Sequence, residues 1–291
     1  MKPARFVLEQ PDTVDGALQL RADESVYSVA LAGGQSLMPL LNLRLSTPDL
    51  VIDLNRVGEL SHLRFEDSHL VMGSMTRQAA VEDHPGVRER FPQLANVVSL
   101  IGHRTIRNRG TVGGSLCHAD PSAELPALAL AADAELVAAS TSGSRVISAA
   151  DFNQGYLSTD LDPTELLTEI RWPLPGGHSI VGSSQFLRRS GDFALAAILV
   201  LLDVGLSGDV EKARVVAYGS ISRPTRLEAV ERALLEDSGK ASPAELASLC
   251  ESLVEPSADM HGSADYKRRL FNVMCRRALE QAVDKLRGGR Q

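Results

Sequence analysis

"RNRGTVGGSLCHADPSAELP", residues 107–126, sets three glycines within five positions and then runs through a histidine and an Asp-Pro into a helical pattern. "LAGGQSLMPLL", residues 31–41, has the same grammar of apolar strand, glycine pair, small polar residue and apolar helix. Glycine admits positive φ and lets another group approach the main chain with no Cβ in the way. Successive N–H groups then converge into a nest for anionic oxygens, reinforced where a helix amino terminus points at the same spot. Two nests suit a diphosphate; two tight turns that bind nothing are the competing reading. Neither the G-x-G-x-x-G of a Rossmann site nor the G-x-x-x-x-G-K-[ST] of a P-loop occurs, which argues against an ordinary NAD or ATP domain.

Of the 291 residues, 44% are hydrophobic, enough to build a core without disulfides. The net charge of −7, with acidic and basic residues interspersed, gives no electrostatic footprint for nucleic acid. Cys117, Cys250 and Cys275 form no Cys-x-x-Cys pair and have no histidine set to complete a four-ligand site, so no iron-sulfur cluster, zinc or other metal is expected on this chain. The amino terminus lacks an apolar run after its charges, and no segment approaches the roughly 20 apolar residues of a membrane span. A reducing cytoplasm is the default compartment.

The chain reads as two domains, 1–176 and 177–291, joined by "PLPGG" at residues 173–177. In the first, "FVLEQ" reads as a strand, "DTVDGALQLRAD" as a helix capped by Asp12, and "VYSVALAGG" as a strand feeding the helix "SLMPLLNLRL". "DLVIDLN" and "HLVMGSM" have strand length, and "RQAAVEDH" and "GVRERFPQLANVVSLIG" are helical. The helix "AELPALALAADA" precedes the strand-like "AELVAAS", "SRVISAADF" and "ELLTEIRWP". In the second domain, "IVGSSQFLRR", "FALAAILVLLDVGL" and "KARVVAYGSI" follow one another without helices between them, which favours antiparallel pairing. "PTRLEAVERALLE", "SPAELASLCESLV" and "SADYKRRLFNVMCRRALEQAVDKLR" have helical spacing, with Leu270, Met274 and Ala278 recurring every fourth residue.

"AGGQSLMPLL" and "IRNRGTVGGSLCHADPSAELPAL" closely resemble the two FAD-binding signatures of the medium, flavin-carrying subunit of molybdenum hydroxylases, the xanthine dehydrogenase and carbon monoxide dehydrogenase family. "ELLTEIRWP", "RRSGDFALAA" and "SADYKRRLFNVMCRRALEQA" follow in matching order, so the resemblance covers nearly the whole chain. It implies an α+β architecture: a two-subdomain PCMH-type fold, like that of vanillyl-alcohol oxidase, which binds FAD, then a carboxy-terminal domain of three antiparallel strands and a helix bundle. By the same resemblance Ala32, Gly33, Gly34, Gln35 and Ser36, followed by Leu37, wrap the pyrophosphate from one side, and Thr111, Gly113, Gly114 and Ser115 close it from the other. Asp120 or Glu124 accepts hydrogen bonds from the ribityl hydroxyls; Asp120, before Pro121, also reads as a helix N-cap. His118 reads as a backbone contact or a packing residue. The resemblance sets Leu166 or Leu167 against the isoalloxazine ring, core packing being the equal alternative, and Asp192 and Phe193 near it. Related sequences often carry tyrosine where Phe193 stands and lysine where Gln185 stands, which leaves the electron acceptor open among NAD, oxygen, quinone and cytochrome. Arg104, Arg107 and Arg109 read as surface ion pairs, with partner steering as the alternative.

No residue is expected to do acid–base chemistry. The resemblance implies an electron-transfer subunit: a large molybdopterin-binding subunit oxidises the substrate, a small subunit relays electrons through two iron-sulfur clusters, and FAD on this chain passes them to the acceptor, in a dimer of heterotrimers. A self-contained flavin reductase and a non-redox assembly module on the same fold are the alternatives. Valine at position 114 is expected to crowd the diphosphate, weakening flavin retention more than fold stability.

Overall fold

Strands β1 (Val7–Glu9), β2 (Ser28–Leu31) and β3 (Leu50–Asp53) form a parallel sheet in the order β1-β3-β2, with helices α1 (Val14–Arg21) and α2 (Leu37–Leu43) in the crossovers. Parallel neighbours need crossovers of this kind, because a tight hairpin only reverses the chain. The coordinates, a computed structural model, describe residues 2–176, 178–236 and 241–288, so Gly177 of the linker reading lies outside the described residues. The cap of α1 is Thr13, whose hydroxyl accepts from the Gly16 amide at 3.1 Å, three residues on. Asp12, the cap expected from the sequence, stands one residue too early and pairs with Arg56 at 2.8 Å instead.

β4 (Leu63–Phe65) and β5 (His69–Gly73) begin a second sheet, which is interrupted by α3 (Gln78–Asp83), α4 (Pro85–Arg90), α5 (Pro92–Leu100), α6 (Arg104–Arg109), α7 (Val112–His118) and α8 (Glu124–Ala131). The single helix expected over 86–102 breaks at Phe91, with φ −144° and ψ 61°, because the ring of a proline pushes the residue before it out of the helical region. After β6 (Glu135–Ser140) and β7 (Gly143–Ser148) come α9 (Ala149–Phe152) and the ribbon of β8 (Asn153–Gly155) and β9 (Ser158–Thr159). β10 (Leu166–Pro173) then completes a five-stranded antiparallel sheet ordered β4-β5-β10-β6-β7.

β11 (His178–Phe186), β12 (Ala196–Val204) and β13 (Val210–Gly219) pair antiparallel, and the two-residue strand β14 (Thr225–Arg226) joins the edge at β13, where the sequence pattern had a helix begin. Helices α10 (Glu228–Glu236), α11 (Pro243–Leu253) and α12 (Ala264–Gly288) follow. Alternate residues of a strand face opposite sides, and β12 buries both. Ala197, Leu199 and Leu201 share a core with Leu94, Leu128, Ile170 and Trp172 of the preceding domain, whereas Ile198, Val200 and Leu202 pack with Phe271, Met274 and Ala278 of α12. A smaller core of Ala17, Leu18, Ile52, Met75 and Leu166 lies under the parallel sheet. The architecture is mixed α and β, an amino-terminal part with the parallel and five-stranded sheets followed by a distinct carboxy-terminal sheet and helices.

Candidate cofactor site

The two glycine stretches meet. A Cβ on Gly33 would stand 2.3 Å from the Arg109 carbonyl oxygen and 2.8 Å from the Gly110 α-carbon, and one on Gly114 would stand 3.3 Å from the Ala32 Cβ. At Gly33 the missing side chain therefore serves the approach of one loop to the other. Gly113 is bare for a further reason: its Cβ would lie 2.5 Å from the Ser74 Cβ and 2.7 Å from the Ser74 carbonyl oxygen. At Gly114 a Cβ would crowd Thr111 Oγ1 at 2.7 Å, so valine there strikes the cap of its own helix first. The same valine also presses toward the first loop, where the Cβ would meet the Ala32 Cβ at 3.3 Å.

The loops use their amides differently. In the second, the amide of Val112 donates to Thr76 O at 3.0 Å, Gly113 to Ser74 O at 2.9 Å, Gly114 to Thr111 Oγ1 at 3.0 Å and Ser115 to Thr111 O at 3.2 Å. Gly113 and Gly114 lie inside the first turn of α7 rather than ahead of it, with Thr111 as N-cap. In the first loop, Gly34 has φ +74°, and no described residue accepts from the amides of Gly33, Gly34, Gln35, Ser36 or Leu37. Met38 is where the chain turns inward, donating to Gly34 O at 3.2 Å. The Gln35 side chain folds back onto the Gly33 carbonyl at 3.1 Å.

A cavity of about 470 Å³ opens on the first loop, lined by Ala32, Gly33, Gly34 and Gln35 together with Asp53, Asn55 and Arg109. Thr111, Gly113, Gly114 and Ser115 are not among its lining residues. Arg104 and Arg107 both pair with Glu82 at 2.8 Å, Arg104 at the surface as expected and Arg107 buried. Arg109 departs from the reading of surface ion pairs: exposed at the cavity, it makes no direct ion pair among the described residues, and its charge acts on the Asp53 carboxylate from a distance. Burial pushes the Asp53 carboxyl up, but hydrogen bonds from Asn55 and Gln10 and the charge of Arg109 bring it below the usual carboxylate range. Asp53 at the end of β3, Asn55 in the turn after it and Arg77, which stands at the N-cap of α3 and bonds Asn55, escaped the sequence reading because single polar residues at element ends carry no spacing signal.

The other residues singled out from the sequence are dispersed. Asp120 does not cap α8, whose N-cap is Ala123. Its carboxylate accepts from the Ser122 amide at 2.8 Å and its carbonyl from the Ala123 amide at 3.0 Å, so Asp-Pro makes a local turn before the helix starts. Glu124, in the first turn of α8, is pushed up to about 7 by burial, against its own backbone amide, with the Asp120 charge adding to the rise. His118 ends α7 half-buried, and burial lowers its pKa. Leu166 and Leu167 are each 4% exposed and enter different cores, as neighbours on one strand must. Asp192 and Phe193 lie on an exposed loop that rests on His103, whose ring a Cβ on Gly191 would meet at 2.7 Å. Gln185 accepts a long hydrogen bond from Tyr218 at 3.5 Å. Among the described residues no helix is long and apolar enough to cross a membrane.

Residues 4–175 match the family described as "FAD binding domain in molybdopterin dehydrogenase", and residues 183–282 match "CO dehydrogenase flavoprotein C-terminal domain". The chain belongs to this flavoprotein family. Its likeness runs end to end: it is 35% identical to the 6-hydroxypseudooxynicotine dehydrogenase complex subunit alpha of Paenarthrobacter nicotinovorans, over 99% of this chain and 97% of that one. Against the carbon monoxide dehydrogenase medium chain of Hydrogenophaga pseudoflava it is 34% identical, over 97% and 98%. The solved carbon monoxide dehydrogenase of that organism superposes with a TM-score of 0.92 at 33% identity, covering 98% and 99% of the two chains. Quinoline 2-oxidoreductase from Pseudomonas putida 86 gives 0.90 at 32%, covering 98% and 99%. As a member of this flavoprotein family the chain is an FAD-binding oxidoreductase component. Its own residues fit that cofactor: the acceptor-free amides of Gly33, Gly34 and Gln35 and the Arg109 guanidinium around one cavity are the donor set that phosphate oxygens require.

Proposed function

We propose that the chain is the electron-transfer subunit of a molybdenum hydroxylase, holding the diphosphate of FAD through the amides of Gly33 to Leu37, with Arg109 offsetting its charge. The observation that carries this reading is the run of amides without acceptors beside the Arg109 guanidinium at one cavity. Ala32 and Thr111, Gly113 and Gly114 support the first loop, and the half-exposed Ser115 brings a hydroxyl. Asp120 or Glu124 receives the ribityl hydroxyls; Leu166 or Leu167 backs the ring, and Asp192 and Phe193 flank it. His118 packs near the ribityl side. Bound FAD accepts electrons singly or in pairs; the chain supplies position and electrostatics.

The domains divide at 176/177 into a two-subdomain PCMH-type part, whose two sheets are the parallel one and the five-stranded one, and a carboxy-terminal part of three principal strands and a helix bundle. The partners are a large molybdopterin-binding subunit and a small two-cluster iron-sulfur subunit, in a dimer of heterotrimers. Three free cysteines favour the cytoplasm. Purification of the chain with its partners tests the reading: about one FAD per chain is expected from absorbance, with molybdenum and iron in the copurifying subunits. A chain that stays colourless with excess FAD overturns it in favour of an assembly module, and steady oxidation of a reduced nicotinamide by the isolated chain overturns it in favour of a self-contained reductase.

A further inference from the structure

We infer that Asn55 and Arg77 form a latch that sets the two glycine loops against each other, a positioning role that rests on the cofactor reading above. Glycine at position 33 permits the loops to touch, but permission is not attraction. The attraction is polar. Asn55 Nδ2 donates to the Ala32 carbonyl at 2.9 Å, Asn55 Oδ1 accepts from Arg77 Nη2 at 2.6 Å, and Arg77 Nη1 donates to the Arg109 carbonyl. The chain of hydrogen bonds therefore runs from the residue before Gly33 to the residue before Gly110.

Both ends of the latch act on peptide planes. In a trans peptide the carbonyl and the following N–H lie in one plane and point opposite ways. Holding the Ala32 carbonyl toward Asn55 turns the Gly33 amide away from Asn55, and so sets the direction of the first of the acceptor-free amides. The latch is itself anchored. Asp53 Oδ1 accepts from the Asn55 amide at 3.0 Å while Asp53 Oδ2 accepts from Gln10 at 2.8 Å, and the Arg77 backbone pairs with Thr111 across an isolated bridge. Arg77 is half-buried and forks between two acceptors, a geometry that a guanidinium satisfies and an ammonium does not.

The test is titration of the flavin-free chain with FAD, followed by quenching of flavin fluorescence, with thermal unfolding of each flavin-free variant alongside. Asn55→Ala changes no charge and is expected to raise the Kd about tenfold, the scale of one lost hydrogen bond, equally at low and high salt. Arg77→Met is expected to do at least as much, and the double variant no more than Arg77→Met alone, because residues acting as one unit are not additive. Arg77→Lys, which keeps the charge, is expected to fall with Arg77→Met. Wild-type affinity in Asn55→Ala overturns the latch, as does additive loss in the double variant, which would mean that Asn55 touches FAD on its own. Full affinity in Arg77→Lys overturns it in favour of charge alone. Wild-type chain that takes up no FAD overturns the cofactor reading itself, a result distinct from the others.

Discussion

The loop at Gly33 to Leu37 and the loop at Thr111 to Ser115 are both glycine-rich turns, yet the first leaves its amides without protein acceptors and the second commits four of them to the fold. The difference lies in what stands next to each. β2 is an edge strand of its sheet, so the chain leaving it at Leu31 meets no further strand that could accept its N–H groups. The second loop runs alongside the segment after β5, where Ser74 and Thr76 take two amides and Thr111 takes two more. A glycine pair in a sequence thus marks where backbones come close, and only the neighbours decide whether a ligand or the protein fills the approach.

Four experiments sharpen or break this contrast. The largest effect belongs to Gly113→Val, which forces a Cβ to within 2.5 Å of the Ser74 side chain. It is expected to cost about 3 kcal/mol in denaturant unfolding, and unchanged stability would remove the structural role of the second loop. The stretch beyond that loop should also register in pH. Glu124 has its pKa raised from 4.5 to about 7, so the folded state binds the proton more tightly than the unfolded one. Its contribution is full below about pH 4.5 and lost as the pH rises through about 7. The wild-type stability minus that of Glu124→Gln should fall across this window by an amount on the order of 2 kcal/mol; a flat difference would mean that the carboxyl is hydrated.

Gly34→Val addresses the first loop. Its φ of +74° costs a side-chain-bearing residue about 1–2 kcal/mol, and the turned amides should weaken FAD binding about tenfold or more. A variant that loses stability but keeps its FAD affinity would invert the comparison. The smallest effect is Thr111→Val, which removes the acceptor of the Gly114 amide at about 1 kcal/mol. Its FAD affinity should stay within about threefold of wild type, less than 1 kcal/mol; a larger loss would bring the second loop into direct contact with the diphosphate.

Much of the architecture was legible because its signals are local. The continuous apolar run of β12, the helical repeat through Leu270, Met274 and Ala278, and the two glycine signatures depend on residues a few positions apart. The errors fall where a short choice was settled by a neighbour. Pro92 breaks the helix at Phe91, Thr13 displaces Asp12 as cap, and Asp120 closes a turn instead of opening α8. Among the candidate site residues, Ala32 to Gln35 line one cavity, Ser36 and Leu37 are not in its lining, and Leu166 and Leu167 part into separate cores.

The amino-acid sequence by itself determined the family, the cofactor class and the backbone freedom at Gly33, Gly34, Gly113 and Gly114, because those follow from residue types in short order along the chain. Only the tertiary structure decided which amides are left to bind something, that Arg109 makes no direct ion pair among the described residues while Arg104 and Arg107 do, and that Asn55 and Arg77 join the loops. The physical reason is that a donor's fate depends on the acceptor nearest in space, and Ser74 for the Gly113 amide, or Ala32 for the Asn55 side chain, lies far off in sequence.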